Sequence, residues 1–196
     1  MAQKTITAIR ETLVATRLTY NGYDCLFPCR TGTTTFRHLY MGGGESYDNA
    51  FDEVMHSLHV VDLWQDSFLE EWYNSKLPKV LFLRDPYDRY ISAKNFMLDV
   101  RFSEEAREEV KQFLGEGGLD LFESSHISPI YQRIWELGTP TYEIFKFDDL
   151  KKLPIHRAKS KNRGKWSLPD WLDFEKLAYD KMIKTCKVCE NLHLQL

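Results

Sequence analysis

The sequence predicts an α/β fold: a single domain over residues 1–196, three layers deep, with a mostly parallel central sheet and a phosphate-binding strand-loop-helix. Three observations predict it. Short apolar runs, YDCLFP (Tyr23 to Pro28), KVLFL (Lys79 to Leu83) and TYEIFKF (Thr141 to Phe147), have buried-strand character and alternate with stretches of helical periodicity. A chain of 196 residues, 43% hydrophobic, is long enough for one sizeable core and short for two. Two of the strands end in arginine-bearing turns that lead straight into helices, at the sheet edge where open α/β folds hold their ligands.

The elements follow in order. Ile6, Ile9, Leu13 and Val14 recur at helical spacing and predict an opening helix over 4–17. After the strand YDCLFP, the stretch CRTGTTTFRHLYMGGG (Cys29 to Gly44) reads as a turn and then a helix of about three turns, with Phe36, Leu39 and Tyr40 inward and Gly42 to Gly44 ending it. DEVMHSLHVVD (Asp52 to Asp62) is apolar and β-branched enough for a strand or strand-like loop, and Leu63 to Asn74 suits a helix. KVLFLRDP is a strand broken at Asp85-Pro86, and Asp88 is the expected cap of the helix DRYISAKNFML. Ser103 caps EEAREEVKQFL, which GEGG stops; 126–137 makes a further helix, stopped by Gly138. TYEIFKF is the last strand, Asp148 caps a short turn, and a basic segment leads to an amphipathic helix from about Asp170 to Cys186.

Composition narrows the function classes. A net charge of -3 gives no global pull toward nucleic acid or anionic membrane, so any anion site must be a local concentration of Lys and Arg. No apolar run approaches the roughly 20 residues of a membrane helix. The start MAQKTITAIRETLVATRL is interrupted by charge, unlike a signal peptide, which predicts a soluble, cytoplasmic protein. Cys25, Cys29, Cys186 and Cys189 form two close pairs that look like zinc half-sites. Cys25 sits in an apolar strand, however, and Cys29 at the mouth of a turn, so reduced thiols are the expectation and no metal site is assigned.

The opening turn has the chemistry of an anion cradle. A strand that ends in a Gly-containing turn and enters a helix presents unpaired N–H groups at the positive end of the helix dipole. Gly32 permits close backbone approach, Thr33 to Thr35 add hydroxyl donors, and Arg30 adds a permanent cation. Read alone, the same residues also suit a plain threonine-capped turn. The nucleotide triphosphatase loop is excluded, because the earlier glycine and the lysine it needs are both missing. In KVLFLRDPYDRYISAKNF, Arg84 closes a strand, Pro86 fixes the turn, and Arg89 and Ser92 share one face of the next helix. These three residues converge on a second anion, or else Arg89 pairs with Asp85 or Asp88.

Taken together, Arg30-Thr31-Gly32-Thr33-Thr34 and Arg84-Asp85-Pro86-Tyr87-Asp88-Arg89-Tyr90-Ile91-Ser92 resemble the two cofactor motifs of the sulfotransferases that use 3'-phosphoadenosine 5'-phosphosulfate. The chain is most similar to the carbohydrate-type branch, which HISPIYQ (His126 to Gln132) and FKFDDL (Phe145 to Leu150) also resemble. The resemblance implies 3'-phosphoadenosine 5'-phosphosulfate as co-substrate, no metal, and a hydroxyl acceptor, expected to be a carbohydrate. It implies that Thr31 to Thr35 and Gly32 hold the 5'-phosphate, that Arg30 stabilises charge on the bridging oxygen, and that Arg84 and Ser92, with Arg89, hold the 3'-phosphate.

For the base, His59, followed by Val60, resembles the catalytic histidine of a carbohydrate 2-O-sulfotransferase; His56 and Glu45 are the alternatives. An imidazole with an ordinary pKa near 6.5 suits a base at neutral pH. His126 is read as a substrate-side or structural residue. Seven of the fifteen residues from Lys151 to Lys165 are Lys or Arg, and Asn162-Arg163-Gly164-Lys165-Trp166 is similar to a loop that closes over the cofactor in the family. Arg163 and Gly164 are carried over on that basis, although a solvated loop needs no function.

Overall fold

The computed structural model describes residues 6–33, 36, 66–150, 160–190 and 192. Their order is β1 (Ile6–Glu11), β2 (Ala15–Tyr20), β3 (Tyr23–Pro28), α1 (Asp66–Tyr73), β4 (Lys79–Leu83), α2 (Pro86–Phe102), α3 (Glu104–Leu114), α4 (Gly118–Ile127), α5 (Tyr131–Glu136), β5 (Glu143–Lys146), α6 (Phe147–Leu150) and α7 (Trp171–Thr185). The fold is mixed α/β, with sheet order β1-β2-β3-β4-β5. β3, β4 and β5 run parallel, Cys25 beside Val80 and Val80 beside Glu143, and a single bridge from Ile144 to Val188 continues the parallel pairing outward. β1 and β2 add an antiparallel hairpin to the β3 side.

That hairpin corrects the opening helix. Ile6, Ile9, Leu13 and Val14 do not share a helix: the first two lie in β1, and Leu13 and Val14 lie in the loop before β2. The deciding signal is Asn21-Gly22. Both residues take positive φ, 49° and 80°, which a two-residue hairpin turn requires, and Tyr20 then pairs with Tyr23. β2 is thereby committed to β3, and Arg17 on β2 closes a paired contact of 2.9 and 2.7 Å on the buried carboxylate of Asp24 on β3.

Three other expectations shift. Asp85, and not Asp88, caps α2: its carboxylate accepts from the Tyr87 N–H at 3.0 Å and the Asp88 N–H at 3.4 Å, and Pro86 occupies the first helical position, where its missing N–H costs nothing. The helix expected over 126–137 is two helices. α4 ends at Ile127 because Ser128 precedes Pro129 and is biased out of the helical region, and α5 starts at Tyr131. The GEGG stretch stops α3, but α4 begins on its last glycine. The strand expected over Asp52–Asp62, the inner-face residues Leu39 and Tyr40, and the glycine stop at 42–44 lie outside the described residues.

The sheet buries both faces. Leu26, Leu81, Leu83 and Ile144 point to one side and pack against α1, α5 and α7 through Trp72, Tyr131, Ile134, Ala178 and Met182. Their alternates Cys25, Phe27, Val80, Phe82 and Phe145 point to the other side, with Phe36 and Leu192 over them. There Phe27 stacks on Phe82 with ring centroids 3.7 Å apart. A third cluster joins α2, α3 and α4 and reaches the hairpin loop at Leu13. No helix among the described residues is long and apolar enough to cross a membrane.

Candidate anion site at the carboxyl edge of the parallel strands

Because β3, β4 and β5 are parallel, their chain exits fall on one edge of the sheet: Cys29 after β3, Arg84 after β4, Phe147 after β5. The β3 exit is a tight turn in which the Thr31 N–H donates to the Pro28 carbonyl at 3.1 Å. Such a turn with positive φ at its third residue normally takes Gly or Asn; here the third residue is Arg30, at φ 67°. The turn is backed by the hairpin loop, since the Cys29 N–H donates to the Val14 carbonyl at 2.8 Å and its Sγ lies 3.2 Å from the Leu13 carbonyl. Gly32, at φ 104°, then re-aims the chain, and the Phe36 N–H donates to the Gly32 carbonyl at 2.9 Å in the first helical bond beyond the turn.

The two turns hold each other. Arg84 Nη1 donates to the Arg30 carbonyl at 3.0 Å, and Arg30 Nε donates to Ser92 Oγ at 3.3 Å, a contact between residues 62 positions apart. Each guanidinium lies on a ring, Arg30 at 4.6 Å over Phe96 and Arg84 at 4.5 Å over Phe147. Arg84 makes no ion pair with a carboxylate among the described residues, and its Nε is buried without a hydrogen-bond partner there. Burial, and then the charge of Arg30, pull its pKa down to about 10, so Arg84 remains cationic at neutral pH at a cost that an anion relieves.

Not every sequence candidate joins them. Arg89 turns into the core, 2% exposed, where its guanidinium donates to the carbonyls of Ser128 at 2.6 Å and His126 at 3.4 Å and faces Glu175 at 3.7 Å. Its expected partners Asp85 and Asp88 are replaced by a buried carboxylate from α7. Thr31 is equally committed: its hydroxyl donates to the Pro28 carbonyl at 2.7 Å, so it holds the turn and is not turned outward. Thr33 opens the helix and is half-buried. Thr34, Thr35, Glu45, His56 and His59 lie outside the described residues.

His126 sits fully buried between the two charged groups. Its Nδ1–H donates to the Phe122 carbonyl at 2.8 Å, and its ring lies 4.2 Å from Phe122 and 5.5 Å from Phe96, centroid to centroid. Burial dominates and, with Arg30 and Arg89 adding, holds its pKa down at about 4. At neutral pH His126 is an uncharged structural residue.

The described end of the basic segment, from residue 160 on, is laid along α2. Asp99 accepts the N–H groups of Lys161 at 3.0 Å and Asn162 at 2.8 Å, while Asn95 Oδ1 accepts from the Gly164 N–H and from Trp166 Nε1, both at 3.0 Å. Ser92, Asn95 and Asp99 recur at helical spacing on one side of α2, so the segment runs beside the arginine pair. Gly164 has a steric reason: a Cβ there would stand 2.7 Å from the Trp166 ring. Arg163, between the two anchor points, is exposed.

The sequence reading missed Phe96, Phe147, Tyr131, Asn95 and Asp99, whose roles depend on partners far along the chain. None of the four cysteines forms a disulfide; burial pushes the Cys25 thiol up and that of Cys186 to about 11. No group of three metal-ligating side chains occurs among the described residues. Family models, curated proteins and solved structures all give no match to this chain, so the family resemblance rests on the residues of the two turns.

Proposed function

We propose that this protein is a sulfotransferase that moves a sulfuryl group from 3'-phosphoadenosine 5'-phosphosulfate to an acceptor hydroxyl, expected to be on a carbohydrate. The observation that carries the reading is the reciprocal contact between Arg30, Arg84 and Ser92, which joins the two motif turns at one sheet edge. A diphosphate suits that edge: two half-buried cations lie close together, and Arg84 has no carboxylate partner among the described residues. The strained φ of Arg30 supports the same conclusion, since a cation at a position costing about 1 kcal/mol more than glycine marks a place where charge is needed.

On this reading the β3 turn is the strand-loop-helix of a phosphate site in a three-layer fold. Gly32 and the helix start at Thr33 face the 5'-phosphate with Thr34 and Thr35, and Arg84 and Ser92 take the 3'-phosphate. Arg30 stands between them and stabilises charge on the leaving oxygen, an effect of positioning and electrostatics. His59, with His56 and Glu45 as alternatives, takes the acceptor proton by family resemblance, and Arg163 and Gly164 flank the cofactor. Arg89 and Thr31 hold the frame.

Calorimetric titration with 3',5'-diphosphoadenosine, beside ATP with Mg, tests the reading. The diphosphate binds tightly and the triphosphate weakly if it is right. No binding of the diphosphate, or preference for ATP with Mg as in a phosphate-loop kinase, sinks it. Transfer of labelled sulfate to a panel of sugar hydroxyls, abolished in His59→Ala, then separates an enzyme from a module that only binds the nucleotide.

A further inference from the structure

Arg84 follows the last residue of β4, at the point where the sheet stops supporting it. Leu83 still pairs with Lys146, but the next residue of that strand, Phe147, has already turned into α6. A backbone N–H and C=O leaving a ladder at a partly buried edge need new partners. One side chain supplies both. The Arg84 N–H donates to Tyr131 Oη at 3.0 Å, and the Tyr131 hydroxyl donates to the Arg84 carbonyl at 3.1 Å, across 47 positions of sequence.

Tyr131 is itself held from three sides. Its ring is fully buried in the cluster that contains Leu83, Ile134 and Met182. Its own N–H, with that of Gln132, is capped by the Glu175 carboxylate at 3.2 and 2.9 Å, which fixes the start of α5 from α7. Arg89 stands 3.7 Å from that carboxylate and 5.5 Å from the Tyr131 ring centroid. Burial pushes the phenol pKa up, so the hydroxyl keeps the proton it donates.

We infer that Tyr131 is a positioning residue for the anion site: its hydroxyl locks the backbone of Arg84 and so sets where that guanidinium meets the 3'-phosphate, with Glu175 and Arg89 holding Tyr131 in place. The inference rests on the reading of Arg84 as a 3'-phosphate ligand, and the test keeps the two apart.

Tyr131→Phe removes one oxygen and leaves the buried ring. In the full chain, amide hydrogen exchange measured by NMR should speed up about tenfold or more at Arg84 and stay unchanged at Leu83, and the dissociation constant for 3',5'-diphosphoadenosine should rise about tenfold. Binding of adenosine 5'-monophosphate, which lacks the 3'-phosphate, should change less than about twofold. Unchanged exchange at Arg84, or an equal loss for both nucleotides, overturns the inference. If the unaltered protein binds neither nucleotide, the sulfotransferase reading falls and the exchange measurement alone decides the positioning role. Should Tyr131→Phe not fold, the unaltered protein decides: a slowly exchanging Tyr131 hydroxyl proton with a cross-peak to the Arg84 amide is expected, and its absence overturns the lock.

Discussion

Arg84 and Arg89 stand five residues apart in one motif and lead opposite lives. Arg89 is sealed in the core, where two backbone carbonyls and the Glu175 carboxylate answer its charge. Arg84, at the exit of β4, has a carbonyl and an aromatic ring but no carboxylate partner among the described residues, and burial and Arg30 lower its pKa to about 10. One arginine is spent on structure, and the other holds charge ready at the sheet edge. A motif read as a set of ligands thus holds, in the same nine residues, one arginine committed to the frame and one without a carboxylate partner among the described residues.

The sharpest way to break this contrast is to remove each guanidinium in turn. Arg89→Met strands Glu175, 0% exposed, without its counter-charge and should cost about 3–5 kcal/mol of stability in urea unfolding. Arg84→Met leaves no carboxylate stranded and should move the unfolding free energy by less than about 1 kcal/mol, while diphosphate affinity drops on the order of 100-fold. Similar stability losses in the two variants would show that the division of labour is wrong.

His126 sharpens the comparison through pH, because burial, with Arg30 and Arg89 adding, disfavours its charged form. Its pKa is depressed from the ordinary 6.5 to about 4, so the unfolded chain binds a proton between those values that the folded chain refuses. The resulting stabilisation is complete above pH 6.5 and is lost as pH falls toward 4, by about 3 kcal/mol over that window. Urea midpoints at pH 7.5 and pH 4.5 should show the slope, and His126→Phe, which keeps an aromatic group beside Phe96 and Phe122, should flatten it. The smallest expected effect is at Ser92: Ser92→Ala removes one acceptor for Arg30 and should weaken diphosphate binding about fivefold with little change in unfolding.

The contrast also explains what could be read from the sequence. The parallel strands were legible because both faces are covered, so each has consecutive buried apolar residues at its centre: Cys25 to Phe27, Val80 to Leu83, and Ile144 with Phe145. The hairpin was not, because four apolar residues spread over β1 and the loop that follows it happened to fall at helical intervals; Asn21-Gly22 carried the answer in two letters. Arg30, Arg84 and Ser92 stand out in the sequence because they lie in local motifs at or just after strand ends, and the structure brings the three into contact. Whether a given arginine meets Glu175, Phe147 or Tyr131 depends on elements brought together by packing, and no periodicity encodes it.

The Asn21-Gly22 turn has a consequence for the order of assembly. β2 and β3 are joined by two residues, so their pairing closes a minimal loop and belongs to the microsecond events of hairpin formation. β3 meets β4, and β4 meets β5, only across long crossovers, which are slow to close. The Cys29 turn, tied to Val14, is thus built early, and Arg84 arrives late to complete the pair. Pulse-labelled hydrogen exchange during refolding should protect the amides of Leu18 and Cys25 before that of Leu81. The anion site would then be among the last features to mature, and ligand present from the start should slow unfolding more than it speeds folding.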